Sequence, residues 1–333
     1  MKQAPILAVD GGNSKTELLL VGGDGRRLAF VRGASISHQA VGMEAGMARL
    51  RRLLAAAATE AGVKATPAAG LGVFCLAGAD LRAETERLSA ALRGEQVAGE
   101  VVVLNDTRAA LRAGSPKGWG VAVICGSGVN AVGVAPDGRV AALPALGDIS
   151  GDWGGGLGVG QEGLAAAIRG RDRRGPHTVL ERTVPEHFGF TRPLSVTWAL
   201  YHERIAQGRL RELSPIVFDA AQHGDAVARA IVDRLADELA AMAVATLRRL
   251  NLVRAQADVV LAGGVMRTKD QALFERIGQR IHAVAPGARI RRLTEPPVVG
   301  AALLALDRIG SRPAAEARLR REVAERPPTA VTG

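Results

Sequence analysis

A glycine-rich turn with hydroxyl and amine side chains follows the first apolar run of the chain. Its residues are Asp10, Gly11, Gly12, Asn13, Ser14, Lys15 and Thr16. Such a turn exposes successive backbone N–H groups that can bind phosphate oxygens, and the Lys15 amine with the Ser14 and Thr16 hydroxyls adds donors. A P-loop is excluded because its Gly-Lys-Ser/Thr ending is missing, and a dinucleotide fingerprint because a strand follows instead of a helix. By itself the segment fits a tight hairpin and a phosphate-binding turn equally well.

Two further glycine turns follow strands later in the chain. Gly126-Ser127-Gly128 occupies the equivalent place in an internal repeat, and Gly263-Gly264 follows a strand in the second half. In a pseudo-two-fold arrangement the first two turns would face each other across a cleft, each the size of a phosphate site. The third would let the backbone pass close to a flat ligand such as adenine. Three such turns favour nucleotide binding over a purely structural role.

Two carboxylates stand where predicted strands end. Asp10 closes the first strand, where it could hold Mg²⁺ through water beside a triphosphate, and the alternative is an Asp that caps a turn. Asn105-Asp106 end a later strand and precede the helix start Thr107-Arg108. There Asp106 could accept a proton from a substrate hydroxyl as that hydroxyl attacks a γ-phosphate. The alternative for Asp106 is an N-terminal helix cap.

Two other segments suit a hydroxylated ligand. Gly147–Gly156 is too rich in glycine for a core element, so we predict a loop shaped around a ligand, with Asp152 offering hydrogen bonds to hydroxyls. His38 alone among the six histidines lies in a segment that we expect to face the site, and the six show no metal-ligand spacing. The run Arg169–Arg174 is predicted to be a solvated loop.

An internal repeat positions these residues. Ile6–Val31 is predicted to form three strands, with the first glycine turn after strand one and Gly23-Asp24-Gly25-Arg26 before strand three. Val121–Leu143 repeats this plan, with Pro136-Asp137-Gly138-Arg139 before its third strand. Asp-Gly between apolar runs is a strong hairpin signal, and two copies of one meander indicate a duplicated domain.

Helices and strands alternate after each copy of the meander. In the first half the predicted helices are Met43–Ala61 and Leu81–Leu92, and the predicted strands are Leu71–Leu76 and Val101–Leu104. In the second half we predict a helical region from Gly163, helix Asp225–Leu250, strand Asp258–Leu261, helix Lys269–Val284, strand Arg289–Leu293 and helix Val298–Ile309. This alternation predicts an α/β fold.

The predicted domains are 1–114 and 115–296, because Gly, Ser, Pro and Lys cluster at Ala113–Gly118. A C-terminal helix at 297–310 could return to the N-terminal domain. The tail 311–333 is rich in Arg, Glu, Pro and Ala, and we predict that it is loosely ordered.

Composition excludes several classes of protein. The chain is 47% hydrophobic but only 3% aromatic, which excludes a disordered chain and a nucleic-acid reader built on stacking aromatics. The net charge of +10 comes mainly from Arg scattered along every segment. This pattern indicates a solvated surface and not a DNA-binding stripe, although a basic field favours a polyanionic substrate such as a nucleotide.

The two cysteines and the apolar runs indicate the compartment. Cys75 and Cys125 lie inside apolar strand-like runs, which predicts buried thiols in a reducing cytoplasm. No run approaches the roughly 18 apolar residues of a membrane span, and the apolar run near Met1 is too short for a signal-peptide core. We therefore expect a soluble cytoplasmic protein.

The ordered set of motifs resembles the BadF/BadG/BcrA/BcrD ATPase family of the actin–hexokinase–Hsp70 superfamily, and within it the N-acetylglucosamine kinases. The matching segments are Asp10–Thr16, Asn105-Asp106, Gly126–Asn130, Gly151–Gly156 and Leu261–Gly264. They stand in the family's order and spacing between Ile6 and Ile309.

The resemblance implies ATP and Mg²⁺ as cofactors, two ribonuclease-H-like (actin-like ATPase) domains that close on the substrates, and phosphorylation of a hexosamine 6-hydroxyl. It places Ser14 and Ser127 on phosphate-contacting positions and Asp106 on the catalytic base. The sugar-binding set that we expect is Ser37, His38, Gly78, Asn105, Asp106, Asn130 and Asp152.

Three departures from the family pattern concern the sugar. In the loop Gly33–His38, which resembles the loop that covers the sugar, Ser37 stands where the sugar kinases have Asn. Ala145 stands in place of a sugar-contacting Gly, and Gly151-Asp152-Trp153-Gly154-Gly155 replaces Gly-Asp-Glu-Gly-Ser. The sequence therefore predicts a kinase, with N-acetylglucosamine as the first expected substrate and glucosamine as the second.

Two other functions compete with a sugar kinase. The ATP-driven electron-transfer activators of the same family hold an iron–sulfur cluster between two subunits with cysteines. Cys75 and Cys125 do not follow a glycine-rich helix-capping loop, as such ligands would. A catalytically silent sugar-sensing regulator is a third possibility, but no added DNA-binding domain is evident and Asp106 is present. A homodimer is the default assembly for enzymes of this kind.

Overall fold

The computed structural model describes residues 4–332. The chain folds into two compact units. One contains the residues up to Ala122 together with those from Arg291 onward, and the other is Val123–Ile290. The predicted division at 114, 296 and 310 stays a prediction.

The first sheet has six strands in the order β11-β3-β2-β1-β4-β5. The strands are β1 Ala4–Gly11, β2 Lys15–Val21, β3 Arg27–Ala34, β4 Ala69–Leu76, β5 Ala98–Asn105 and β11 Thr329–Ala330. β1, β2 and β3 form the predicted antiparallel meander, while β1, β4 and β5 run parallel. The hairpin turn between β2 and β3 closes through Gly22 N–H and Arg26 O, 2.8 Å apart, with Gly25 at φ +79°.

Within residues 4–332, the helices of this unit are α1 His38–Val41, α2 Met43–Ala61, α3 Arg82–Gly94, α4 Asp106–Gly114, α11 Pro297–Arg308 and α12 Pro313–Glu325. Leu7 and Val9 of β1 pack into one apolar cluster with α2, while Ile6 and Ala8 pack into a second cluster with α11. All four side chains are fully buried. The strand is a continuous apolar run, without alternating polar residues, because both of its faces are covered.

The second sheet has five strands in the order β10-β9-β6-β7-β8. They are β6 Gly120–Cys125, β7 Val129–Val134, β8 Val140–Ala142, β9 Asp258–Ala262 and β10 Arg289–Arg292. The helices of this part of the chain are α5 Gly155–Arg171, α6 Leu180–His187, α7 Pro193–Tyr201, α8 Ser214–Gln222, α9 Ala226–Arg249 and α10 Gln271–His282. Among residues 4–332, no helix has both the length and the apolar character that crossing a bilayer requires.

The start of α5 corrects the prediction of a loop through Gly156 and a helix from about Gly163. The helix begins at Gly155, which has φ +69° and approaches the second glycine turn so closely that an added Cβ would lie 2.5 Å from Gly128 Cα. At Gly160 a Cβ would lie 1.8 Å from Leu210 O. These glycines permit close packing of a helix backbone, which composition alone does not distinguish from the freedom of a loop.

The predicted loose tail is also corrected, because residues 313–325 form α12. Ala315, Leu319 and Val323 are buried in the second apolar cluster of the first unit. Their spacing of four residues is a helical stripe, and Arg and Glu, which suggested disorder, are strong helix formers. Arg112 anchors the same helix through its guanidinium, which lies 2.7 Å from Glu316 Oε2.

Candidate active site

The predicted site residues of the first unit meet at the carboxyl edge of its sheet. The parallel register pairs Gly11 with Leu76 and Leu76 with Asn105, so the three strands end at one level. Ala77 N–H donates to Gly11 O at 2.8 Å, which ties the segment after β4 to the end of β1. Parallel strands present ligand-binding groups at this edge.

The turn after β1 is a tight hairpin. Gly12 N–H donates to Lys15 O at 3.0 Å, while Asn13 and Ser14 are exposed at its tip. Gly11 packs closely against β4, because a Cβ there would lie 2.6 Å from Leu76 Cδ2 and would displace that side chain. The exposed tip leaves the Ser14 hydroxyl available to a phosphate.

The predicted contact of Thr16 with phosphate stays a prediction, and its side chain has a second contact within the fold. The residue is fully buried, and its Oγ1 accepts a hydrogen bond from Ile36 N–H at 3.0 Å. Thr16 therefore supports the loop that begins at Ser35.

A buried carboxylate, which sequence reasoning missed, lies beside this turn. Glu17 is fully buried, and its Oε1 lies 2.7 Å from Lys15 Nζ and 2.5 Å from Arg32 Nη2. The Lys15 and Arg32 side chains are 37% and 43% exposed, so both cations reach the surface. One buried negative charge thus holds two cations, and the group carries a net positive charge. The sequence signal for this buried charge was a glutamate next to the apolar run of strand β2.

Asp10 lies inside β1 and is not a turn cap. It is 9% exposed, and burial raises the pKa of its carboxyl well above the usual range, with further increases from the negative charges of Asp106 and Glu17. Lys15 opposes this shift. No hydrogen bond to the Asp10 carboxylate occurs among residues 4–332. A buried carboxylate without a donor is a group that a cation would stabilise.

Asn105, and not Asp106, caps helix α4. The Asn105 side-chain oxygen accepts a hydrogen bond from Thr107 N–H at 3.0 Å, and its Nδ2 donates to Asp80 Oδ1 at 2.7 Å. Asp106 is the first residue of the helix and is half-buried. The capping role that competed with catalysis is therefore filled by its neighbour.

The Asp106 carboxyl has a pKa suited to proton transfer near neutral pH. Burial raises its pKa from 3.8 to about 7, and the negative charge of Asp80 adds to the increase. Backbone N–H groups of the helix start oppose the shift. A base works best when its pKa lies close to the working pH.

Ser37 and His38 follow the first meander and begin α1. Ser37 is buried, and the His38 side chain is 12% exposed. Gly78, at φ +83°, lies against this histidine, because a Cβ at position 78 would come within 2.7 Å of His38 Cε1. The structure therefore brings three of the predicted sugar-binding residues together.

In the second unit, the turn Gly126-Ser127-Gly128 joins β6 to β7 and holds the start of α5. Gly156 N–H donates to Gly126 O at 2.7 Å, and Leu157 N–H donates to Ser127 O at 2.9 Å. Gly126 itself has no heavy atom within 4 Å of an added Cβ. The turn thus has a fixed backbone and one open side.

The third glycine pair divides into two roles. Gly263 has φ +104°, and a Cβ there would lie 2.3 Å from Cys125 O. Gly264 has ordinary helical dihedral angles and open space around its Cβ direction. Gly263 is therefore needed by the fold, whereas Gly264 has no such structural requirement. The prediction that both glycines border the nucleotide stays a prediction.

Asn130 and Asp152, predicted to bind the sugar, are both half-buried in the second unit. Asn130 lies in β7, and Asp152 lies in the loop before α5, where Ser150 Oγ hydrogen-bonds its Oδ2. Trp153 next to it is covered by the Arg234 guanidinium, 3.9 Å from the ring centroid. Ala145 adopts φ +55°, the left-handed region in which glycine is relaxed.

The chain is similar to known proteins over most of its length. The model of the BadF/BadG/BcrA/BcrD ATPase family matches residues 7–305. The N-acetyl-D-glucosamine kinase of Dictyostelium discoideum is 26% identical over 326 residues, covering 92% of this chain and 99% of the relative. The N-acetylmuramic acid/N-acetylglucosamine kinase of Clostridium acetobutylicum is 25% identical over 304 residues, covering 90% and 97%.

A solved structure from Chromobacterium violaceum, named as a proposed N-acetylglucosamine kinase, has a TM-score of 0.70 and 25% identity. The likeness covers 91% of this chain and 99% of that one. The predicted two-domain actin-like ATPase fold is thereby confirmed.

Proposed function

Because the chain belongs to the BadF/BadG/BcrA/BcrD ATPase family, we propose that it is an ATP-dependent kinase that transfers a phosphoryl group to the 6-hydroxyl of an amino sugar. N-acetylglucosamine is the proposed substrate, and glucosamine is the second candidate. Support comes from two curated relatives of nearly full length whose names include N-acetylglucosamine kinase.

The observation that carries the proposal is Asp106 at the carboxyl edge of the first sheet. Its pKa near 7 lets the carboxylate accept the proton of the attacking hydroxyl and remain ionised in a large fraction of molecules at neutral pH. Asn105 caps the helix and leaves Asp106 free for this role. As the oxygen attacks phosphorus, its proton moves to Asp106 and the nucleotide leaves as the diphosphate.

The proposed phosphate-binding groups are cations and backbone turns. Lys15 and Arg32 both form ion pairs with the buried Glu17, which holds their side chains in position before a nucleotide binds. Fixed charges of this kind stabilise the developing charge without reorganisation. We propose the same role for the turns at Gly12–Ser14 and Gly126–Gly128, and that Gly264 borders the adenine.

Asp10 fits the proposed Mg²⁺. Its buried carboxylate has no hydrogen-bond donor among residues 4–332 and offers the oxygen ligand that this ion prefers. Across the same residues no three His, Cys, Asp or Glu side chains form a metal cage, so the ion would keep ligands from water and phosphate. When bound, Mg²⁺ neutralises charge on the transferred phosphoryl group.

The cysteines argue against the electron-transfer activator. Cys75 and Cys125 are fully buried inside β4 and β6, and burial raises the pKa of both thiols, that of Cys125 to about 12. Iron–sulfur ligands are thiolates, which both sites disfavour. We expect the purified protein to be colourless, whereas a brown, oxygen-sensitive preparation would favour the activator.

The proposed function is tested with a coupled ADP-release assay across four sugars: N-acetylglucosamine, glucosamine, glucose and N-acetylmuramic acid. We expect the highest kcat/KM with N-acetylglucosamine. Asp106→Asn should lose the activity, and Asp219→Asn, an exposed position on α8, should keep it. Equal or better use of glucose would contradict the hexosamine assignment, and no phosphorylation of any of the four sugars would contradict the kinase assignment.

A homodimer and a cytoplasmic location are proposals as well. Two buried, unpaired thiols suit a reducing compartment. Light scattering of the purified chain would measure its assembly state.

A further inference from the structure

The second unit contains a cleft that the proposed function does not use. The cleft has a volume of about 810 Å³ and is lined by the end of α5, residues of α6 and the segment before it, the start of α7 and the residue before α9. Helix α5 begins at the turn Gly126–Gly128 and is 17 residues long, so its two ends lie about 24 Å apart. The cleft at the end of α5 is therefore distinct from that turn.

Three arginines from three parts of the chain line the cleft. Arg171 is the last residue of α5, Arg182 lies in α6, and Arg192 directly precedes α7. Within residues 4–332 the guanidinium groups of Arg171 and Arg192 make no hydrogen bond and no ion pair. Arg182 pairs with Glu186 at 3.1 Å, and both of these side chains are exposed to water. The positive charges of the cleft are thus available to a ligand.

The basic run Arg169–Arg174 contributes one residue to this lining. Arg169 Nη2 donates a hydrogen bond to Arg174 O at 3.0 Å, and Arg174 Nη2 lies 2.7 Å from Asp172 Oδ2. These contacts hold the turn after α5 to itself. Arg171 is the member of the run that lines the cleft.

Asp225 joins two walls of the cleft, and both of its oxygens are engaged. Its Oδ2 accepts hydrogen bonds from Thr178 Oγ1 at 2.9 Å and from Val179 N–H at 2.8 Å, just before α6. Its Oδ1 accepts from Ala228 N–H at 2.8 Å and so caps α9. The carboxylate therefore fixes the start of α6 against the start of α9, and its acceptors are used within the fold.

Glu181, the second carboxylate of the cleft, is also engaged within the fold. Its Oε1 accepts from Thr178 N–H at 3.3 Å and lies 2.9 Å from His177 Nδ1. Gly170 brings the end of α5 close to this carboxylate, because a Cβ at position 170 would lie 2.7 Å from Glu181 Oε1. Three arginines line the cleft with two carboxylates that already have donors, so the cleft carries an excess of positive charge.

The chemistry of the lining favours a phosphate group. Among the described residues that line the cleft, only Val179 and Pro193 are apolar, and none is Phe, Tyr or Trp. A guanidinium is a planar fork of N–H donors that matches phosphate oxygens in a bidentate way. The volume lies within the range of small-molecule sites, roughly 300–1,000 Å³.

We propose that this cleft is a second anion site, in which Arg171, Arg182 and Arg192 bind the phosphate group of a small molecule. None of the residues proposed to hold the nucleotide, the sugar or Mg²⁺ lines the cleft, so this inference goes beyond the proposed function. A phosphorylated sugar and a free polyphosphate present the same oxygens to the guanidiniums, and their relative affinities distinguish these two sources.

Binding is measured by isothermal titration calorimetry at low salt, where screening of surface charges is weakest. The probes are inorganic phosphate, tripolyphosphate, N-acetylglucosamine 6-phosphate and, as the uncharged control, N-acetylglucosamine. We expect at least one of the three phosphate-containing probes to bind. Arg171→Gln and Arg192→Gln should each weaken that binding by about tenfold or more, because each removes a charge-assisted hydrogen bond.

The matched control for these variants is Arg254→Gln. Arg254 is an exposed arginine of the same unit and follows the end of α9 opposite to Asp225. Its replacement makes the same change of net charge and should leave binding unchanged. The denaturation midpoints of Arg171→Gln and Arg192→Gln should equal that of wild type, since both side chains are exposed and unpaired.

Glu186 offers a variant with the opposite effect. Its ion pair with Arg182 competes with a ligand for that guanidinium. Glu186→Gln should tighten binding by up to about fivefold, the strength of an exposed ion pair, whereas Arg182→Gln should weaken binding. Asp219→Asn, which makes the same change of charge on α8, should leave it unchanged. Unchanged binding in Arg182→Gln would overturn the assignment of that residue.

The remaining outcomes decide the proposal as a whole. Tighter binding of N-acetylglucosamine 6-phosphate than of tripolyphosphate supports a phosphorylated sugar as the ligand, and the reverse order supports a free polyphosphate. Binding that Arg171→Gln and Arg192→Gln leave unchanged belongs to another site and overturns the proposal. Equal weakening in Arg254→Gln, or no binding of any phosphate-containing probe, also overturns it. None of these outcomes depends on whether the chain phosphorylates a sugar.

Discussion

Asn105 donates a hydrogen bond to Asp80 Oδ1 across 2.7 Å, and the charge on Asp80 is one of the two causes that raise the pKa of the adjacent Asp106. The same Asn105 caps α4 through its side-chain oxygen. One amide therefore fixes both the start of the helix that carries the proposed base and the carboxylate that tunes it.

The first prediction concerns the pH dependence of kcat/KM. Because the base must be ionised, activity should fall on the acid side with an apparent pKa near 7. Asp80→Asn removes the neighbouring charge but keeps the oxygen that accepts from Asn105, so the acid limb should move to lower pH. Asp219→Asn should not move it. If the acid limb of the pH profile stays in place in Asp80→Asn, or moves to higher pH, the proposed role of Asp80 is contradicted.

The second prediction is that Asp106→Asn loses activity and gains stability. Turnover should fall by roughly 10² or more, with ATP affinity nearly unchanged. The folded pKa of about 7 lies above the reference value of 3.8, so the native state binds the proton more tightly and ionisation lowers its stability as pH rises between these values. The variant should therefore be more stable than wild type by roughly 2 kcal/mol near pH 8 and equal to it near pH 4.

Urea denaturation at several pH values measures this difference, with Asp219→Asn as the exposed control. A stability gain that is independent of pH would show that burial of the charge is not its cause. Ordinary turnover in Asp106→Asn would remove the residue from catalysis.

The third prediction separates the two glycines after β9. Gly263→Ala should cost about 2 kcal/mol or more, because φ is +104° and the new Cβ would lie 2.3 Å from Cys125 O. Gly264→Ala should leave the denaturation midpoint unchanged, since its Cβ meets open space. A higher KM for ATP in Gly264→Ala would support the proposed adenine contact, and an unchanged KM would argue against it.

The fourth prediction concerns helix α12. Leu319 is fully buried against the first sheet, so Leu319→Ala should destabilise the protein by about 2–4 kcal/mol. Arg321, whose side chain is 64% exposed, is the matched control, and Arg321→Ala should change stability by less than about 0.5 kcal/mol. Equal denaturation midpoints for Leu319→Ala and wild type would mean that the tail does not pack in solution.

Local order along the chain could be predicted from the sequence for physical reasons. Apolar runs broken by Asp-Gly turns specify strands and hairpins, and the helix predicted at Met43–Ala61 has those bounds in the structure. The candidate binding turns could also be found in the sequence. A glycine turn beside a hydroxyl side chain consists of adjacent residues, so no tertiary contact is needed to recognise it. The prediction of a loose tail after Ser311 was wrong because the apolar stripe of α12 packs against α11 and against β3, and β3 lies near the other end of the chain.

Only the tertiary structure shows which polar atoms lack hydrogen-bond partners and which charged side chains lie close enough to interact. The sequence places Ser37, His38 and Asp106 near strand ends, but it does not show that the first two keep unpaired buried atoms or that burial and Asp80 raise the pKa of the third. Glu17 with Arg32, and Glu84 beside His38, were likewise not evident. Desolvation, a distance between charges and the absence of a hydrogen-bond partner depend on atoms from segments far apart in the chain, so they exist only once the chain has folded.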